Sequence, residues 1–333
     1  MKAVLCKKFG PPSQLVVEDV PSPTPKDNEL VVSVKAAAVN FPDTLMIEGK
    51  YQFQPPFPFA PGGEVAGVVK ECGAAVKGFA PGDRVMASSG FGGFAEEVAV
   101  DAARCLAVPQ GVEFASAAGF VMTYGTSHYA LKDRARLRKG ESLLVLGAAG
   151  GVGLAAVELG KLMGARVIAA ASSEEKLEVA RAQGADDTLL YDARPLERPA
   201  QKAFSDAIKA KTDGQGVDVV YDPVGGSYAE PAVRALAWEG RFLVIGFAAG
   251  DIPKLPLNLP LLKSCQIVGV FWGAFTMRDA AGNAKNLQEL VGWMKEGKLK
   301  PHICKIFSLE DTAHALTYMS ERKAVGKIIV STQ

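Results

Sequence analysis

Ser142-Leu143-Leu144-Val145-Leu146-Gly147-Ala148-Ala149-Gly150-Gly151-Val152-Gly153 is the stretch on which the architecture turns. Residues 142–146 read as a buried strand, the glycines as a tight turn and residues 152–163 as a helix, with a further strand over 166–171. Small residues at such a strand-to-helix turn let the backbone approach a pyrophosphate, and the helix N-terminus adds partial positive charge. A tight turn without a ligand is the rival reading of the glycines alone. The strand before, the helix after and the second strand at the right interval favour dinucleotide binding.

Working outward, strand and helix patterns keep alternating. Residues 187–191, 217–221, 240–246 and 266–270 are further near-continuous apolar strands with helical stretches between them, which indicates a doubly wound parallel sheet. Residues 1–121 have another texture: short β-like runs (30–34, 64–69, 97–100) separated by turn clusters such as Pro61-Gly62-Gly63 and Pro81-Gly82-Asp83. That predicts a partly open barrel or rolled sheet. After about Phe271 come a charged helix (283–297), the segment 300–307, a second helix (309–322) and a last strand (327–330). This tail returns to the mixed texture of the start, so a nucleotide-binding domain at 123–271 is expected as an insertion in a first domain formed by 1–122 and 272–333.

Composition narrows the function. The chain has 333 residues, about two domains' worth. Its 37 basic and 36 acidic side chains leave no field of one sign to attract nucleic acid or an anionic membrane. No apolar run reaches the roughly 20 residues that a membrane span needs. The five cysteines are scattered and never form a C-x-x-C pair, so neither a disulfide framework nor a structural zinc lobe is expected. A reduced, cytoplasmic protein fits these features.

The choice of dinucleotide is legible about 20 residues beyond the glycines, where NAD-selective sites carry an acid for the ribose 2′-hydroxyl. Here the chain reads Ala169-Ala170-Ala171-Ser172-Ser173-Glu174-Glu175-Lys176. Ser172, Ser173 and Lys176 favour a 2′-phosphate, hence NADPH. Glu174 and Glu175 count against it, and Ser173 with Lys176 also reads as a helix N-cap followed by a solvated first turn.

The chain resembles the zinc-independent quinone oxidoreductases (zeta-crystallin-like) of the medium-chain dehydrogenase/reductase superfamily. The resemblance spans Ala36-Ala37-Ala38-Val39-Asn40-Phe41-Pro42-Asp43, Pro61-Gly62-Gly63-Glu64-Val65-Ala66-Gly67, Pro81-Gly82-Asp83-Arg84-Val85, Tyr124-Gly125-Thr126-Ser127, the 146–153 loop, Asp222-Pro223-Val224-Gly225-Gly226 and Gly326-Lys327. It implies an α/β fold in which a GroES-like β-rich substrate domain carries an inserted Rossmann sheet, NADPH between the two, and often a dimer or tetramer. Asn40 resembles the residue that replaces the zinc-binding cysteine of the metal-dependent members, and Gly63 stands where their histidine would be. Zinc catalysis needs about three protein ligands, and His128, His302 and His314 lie elsewhere with no ligand spacing. His128 reads as a satisfied packing or surface histidine, and the other two as surface positions.

By resemblance, Asn40 lies near the nicotinamide, Asp43 holds the substrate loop, and Tyr51 matches an active-site tyrosine whose phenol bonds a carbonyl oxygen or donates a proton. Turn, cap or exposed-loop roles are the competing readings. The cofactor set implied is Asn40, Thr126, Gly147, Ala149, Gly150, Gly151, Val152, Ser172, Ser173, Lys176, Tyr191, Gly246, Phe247, Phe271, Trp272, Gly273 and Arg322. Thr126 and Tyr191 read equally as core or cap residues, and Phe271 with Trp272 equally as a plain aromatic core. Arg322 and its neighbour Lys323 are interchangeable candidates for the 2′-phosphate.

Without a Lewis acid, hydride transfer from a reduced nicotinamide still works on an acceptor that is already electron-poor. A quinone reductase is therefore expected. An enoyl reductase acting on 2-enones or enoyl-thioesters uses the same donor and fold, and a non-catalytic NADPH-binding protein of the crystallin kind is a third possibility. The loop 50–59, with Phe53, Phe57 and Phe59 among three prolines, suggests an aromatic-lined mouth. The apolar strand around 266–271 is expected at a sheet edge, where a second copy forming a homodimer would satisfy its backbone.

Overall fold

The computed structural model describes residues 1–192 and 194–332. Two compact units emerge, Met1–Met122 with Lys300–Gln333, and Thr123–Leu299.

The second unit is built on a six-stranded sheet, every neighbouring pair of which is parallel. Across the sheet the strands run Asp187–Leu190, Arg166–Ala171, Ser142–Val145, Val217–Asp222, Leu236–Val244 and Gln266–Gly269. The order starts at Ser142–Val145, moves outward one way through the next two strands, then returns and moves the other way. That reversal creates a crevice at the carboxyl ends of the central strands, the usual seat of a ligand in such sheets. Leu143, Leu144, Val145, Val167, Ile168, Val219 and Val220 are fully buried, as strands covered on both faces require.

The first unit holds a seven-stranded, largely antiparallel sheet. The long strand Glu29–Val39 lies at its centre between Val65–Cys72 and Lys327–Ser331, and also pairs with Glu97–Asp101. The only parallel pair among its described strands joins Ile303–Ser308 to Lys327–Ser331. The two β-rich pieces at the chain's ends thus share one sheet, the GroES-like arrangement, and the parallel sheet is inserted between them in sequence.

The boundary after the inserted unit falls later than the sequence reading placed it. Residues 272–299, expected in the first domain, pack in the second unit. Trp272 lies over Gly125, where an added Cβ would come within 2.6 Å of its ring, and its indole donates to Asn283 Oδ1 at 3.1 Å. Helix Ala280–Lys295 is tied to the same unit by Asn286, which donates to Asp133 Oδ2 at 2.6 Å. Charge on a solvated helix face carries no information about which neighbour its apolar face covers.

A candidate active site and dinucleotide-binding edge

In the first unit, three strands end together. Ile328 pairs with Val39 and Ala37 with Val65, so Lys327, Asn40 and Glu64 are brought side by side. Asn40 then caps helix Phe41–Ile47, with Pro42 in the first turn, where a fixed φ and a missing N–H suit a helix start. Asn40 and Asp43, expected in a short loop, are therefore at a helix N-terminus. The Asn40 backbone N–H donates to Asp43 Oδ2 at 2.8 Å.

Four polar side chains meet here almost out of solvent: Asn40 is 6% exposed, Asp43 1%, Glu64 0% and Lys327 3%. The Lys327 ammonium donates to Asn40 Oδ1 at 2.6 Å and lies 3.4 Å from Glu64 Oε2. Asn40 Nδ2 donates to Glu64 Oε2 at 3.1 Å, and Glu64 Oε1 accepts the Met122 backbone N–H at 2.7 Å. Burial pushes the Asp43 carboxyl up to about 7, opposed by the N–H groups of Asn40 and Gly62 and by the Lys327 charge. Tyr51 packs against the adjoining apolar core, and burial, with the Asp43 charge, raises its phenol above the ordinary value. Glu64 and Lys327 were absent from the sequence-derived site. Their signal was present in the quoted motifs, a charge directly preceding or opening a strand that is otherwise apolar.

The residues gathered here are engaged with one another rather than set out as a zinc-ligand group. Glu64 is already engaged by an ammonium, an amide and a backbone N–H, and a Cβ at Gly63 would stand 3.0 Å from the Gly90 carbonyl. Among the described residues no group of three or more His, Cys, Asp or Glu is arranged to hold a metal ion. His314 is exposed, whereas His128 is fully buried. The latter is not satisfied: neither ring nitrogen makes a well-formed hydrogen bond, and Nε2 lies 3.3 Å from Glu289 Oε2 without good geometry.

The second unit collects the cofactor candidates on one edge. Gly147, Ser172, Tyr191, Gly246 and Phe271 each follow the carboxyl end of a strand of the parallel sheet. Gly147 has φ +57°, and a Cβ on Gly153 would meet the Gly147 carbonyl at 2.3 Å, so the turn admits no side chain at residue 153. At Gly150, by contrast, an added Cβ would meet only the Gly147 carbonyl at 3.4 Å, leaving an open cradle. Helix Gly151–Leu162 begins there, and the first-turn N–H groups of Gly151, Val152 and Gly153 have no partner within the helix. The residues fit a dinucleotide pyrophosphate. Ala149 is buried beneath the loop, and Ser127 donates to the Val152 carbonyl at 3.0 Å while bonding the Tyr221 hydroxyl at 2.8 Å.

Ser173 caps helix Glu174–Ala182 by accepting the Lys176 N–H, as the capping reading anticipated. The Lys176 ammonium nevertheless turns back to Ser172 Oγ at 3.3 Å, so Ser172 and Lys176 form one polar corner. Tyr191 N–H bonds the Ala171 carbonyl beside that corner, while its ring joins Phe204 and Tyr228. Thr126 and Phe247 are half-buried and Gly273 is exposed. Trp272 is 8% exposed and packed over Gly125, and Phe271 is 61% exposed. Arg322, exposed at φ +58°, belongs to the first unit.

Comparison with known proteins accords with both units. Residues 26–110 match the alcohol dehydrogenase GroES-like domain, and 151–292 the zinc-binding dehydrogenase family. A quinone oxidoreductase-like protein 2 homolog from Nematostella vectensis is 37% identical over all of this chain and 89% of its own length. A probable oxidoreductase from Mycobacterium abscessus is 38% identical with a TM-score of 0.87, covering 99% of each chain. A mycobacterial protein solved in complex with NADPH has a TM-score of 0.91 at 29% identity, covering 99% of this chain and 100% of that one. With both units matched along their whole length, the chain belongs to the quinone oxidoreductase family of the medium-chain dehydrogenase/reductase superfamily.

Proposed function

We propose that this chain is an NADPH-dependent reductase that delivers a hydride to quinones or related electron-poor carbonyl compounds without a bound metal ion. The observation that carries the reading is the buried Lys327 ammonium, held between Asn40 and Glu64 where a zinc enzyme of this fold would gather its ligands. The match to a zinc-binding dehydrogenase model covers the sheet-forming region, not these residues.

When bound, the reduced nicotinamide supplies the hydride. The chain's own residues bind and orient. The Gly147–Gly153 loop receives the pyrophosphate, and Ser172 with Lys176 receives the 2′-phosphate, a choice supported by the NADPH complex of the mycobacterial relative. Tyr51 bonds the acceptor oxygen as negative charge grows on it; its hydroxyl has no hydrogen-bond partner among the described residues.

Aromatic rings on the first unit support a flat acceptor. Phe53 and Phe91 lie 5.9 Å apart, 52% and 37% exposed, and Phe9, Phe57 and Phe59 form a second cluster with centroids 4.7 and 5.6 Å apart. Phe91 rides on a loop whose backbone bonds residues 60–63, next to Glu64. Phe59 is buried in the core at 3% exposure, whereas the exposed rings Phe9, Phe53, Phe57 and Phe91 support a binding surface.

The edge strand Gln266–Gly269 and the exposed Leu257, Leu261, Leu262, Ile267 and Phe271 support a homodimer. Among the described residues no helix is long and apolar enough to cross a membrane.

Turnover of NADPH with a panel of quinones, 2-enones and a crotonyl-thioester tests the proposal. Quinone reduction undiminished by chelators is the expected result. Preference for the thioester would assign the enoyl-reductase reading, and NADPH binding with no acceptor reduced would assign a non-catalytic role.

A further inference from the structure

Asp222 ends the central strand Val217–Asp222 at the carboxyl edge of the parallel sheet and is 2% exposed. Its Oδ1 accepts the Val224 N–H and the Gly225 N–H, each at 2.8 Å. Burial pushes the carboxyl up to about 6, and these two N–H groups oppose the shift. The same bonds fix the turn 222–226, in which Gly225 and Gly226 have φ +68° and +58°.

That turn reaches two other loops on the same edge. On one side it packs on the glycine loop, where a Cβ at Gly147 would stand 2.9 Å from Val224 Cγ2. On the other it is laced to residues 245–251. The Asp222, Pro223 and Val224 carbonyls accept the N–H groups of Ile245, Ala248 and Ala249 at 3.0, 3.0 and 2.8 Å, and the Gly226 N–H donates to the Asp251 carbonyl at 3.1 Å. Phe247 lies so close to Gly225 that a Cβ there would come within 2.9 Å of its ring. The turn rooted in Asp222 thus joins the Gly147–Gly153 loop to the loop that carries Gly246 and Phe247.

We propose that Asp222 is a positioning residue for the dinucleotide: by holding the Val224 and Gly225 N–H groups it sets the turn that braces Gly147 on one side and residues 245–251 on the other. The inference rests on NADPH lying along this edge and concerns residues of the second unit alone. Asp222 acts through the backbone that it holds. Both bonds end on one oxygen, so an amide oxygen in that place can replace it, whereas a side chain with no acceptor leaves two N–H groups unpaired.

Titration calorimetry with NADPH, run well below the Tm of each protein, compares three variants with the wild type. Asp222→Ala should weaken binding about tenfold or more, as misplaced loops lose their fit to the cofactor. Asp222→Asn keeps the accepting oxygen and should stay within about threefold of the wild type. Asp218→Ala is the control for a general loss of stability. Near the amino end of the same strand, Asp218 Oδ2 likewise accepts two bonds, from the Ser142 N–H and the Ser142 hydroxyl, each at 2.7 Å. That variant should have a lowered Tm and near wild-type affinity. Undiminished affinity in Asp222→Ala, an equal loss in Asp222→Asn, or an equal loss in Asp218→Ala overturns the proposal. Should Asp222→Ala not fold, Val224→Ala takes its place: it keeps the bonds to Asp222 but removes the methyl group packed on Gly147, so affinity should fall severalfold, and full affinity overturns the proposal. Failure of the wild type to bind NADPH at all is a separate outcome, which refutes the cofactor reading itself.

Discussion

Asp43→Asn should flatten the pH dependence of the first unit's stability. Asp43 has its carboxyl near 7 in the folded chain against an ordinary value of 3.8. An acid raised on folding holds more protons in the native state than in the unfolded one between those values, so stability is greatest at low pH and falls as pH rises through the window. At 1.36 kcal/mol per unit, the loss between pH 4.5 and 6.5 amounts to about 2 kcal/mol. The variant removes the titration, so the wild-type minus variant difference should shrink by that amount as pH rises, whatever constant offset the asparagine introduces beside Gly62. Urea unfolding followed by far-UV circular dichroism at several pH values measures it. Parallel stability curves for wild type and variant would show that Asp43 stays ionised when buried and would refute the reasoning.

Tyr51→Phe should lower turnover of a 2-enone by about a hundredfold while NADPH affinity stays near wild type, with a quinone less affected because its reduced anion can take a proton from water later; full activity on both acceptors would reduce Tyr51 to a loop aromatic. Lys176→Ala should weaken NADPH binding about tenfold and leave NADH nearly unchanged, as titration calorimetry with both cofactors would reveal. Gly153→Ala forces a Cβ to 2.3 Å from the Gly147 carbonyl, so it should cost about 1–3 kcal/mol of stability and most of the cofactor affinity, seen as a lowered Tm that NADPH no longer raises. Metal analysis of protein prepared without added zinc should find far less than one equivalent, and a stoichiometric metal whose removal abolishes reduction would contradict the metal-free mechanism.

What the sequence determined by itself was the parallel sheet and its glycine turn. Both rest on local physics: near-continuous apolar strands alternating with helices, and backbone close approach that only glycine permits, as at Gly147 and Gly153. Ser173 as an N-cap is of the same kind, since cap and recipient N–H are three residues apart. Tertiary structure alone decided the polar centre. Lys327 and Asn40 are 287 residues apart and meet because Ile328 pairs with Val39, a register set by which face of each strand is buried. Glu64 joins them through the neighbouring pairing of Ala37 with Val65. The same holds for Phe91 beside Phe53 and for Trp272 against Gly125, which moved residues 272–299 into the second unit. Periodicity tells which face of an element is buried, but not what it is buried against; that partner exists only once distant strands have paired.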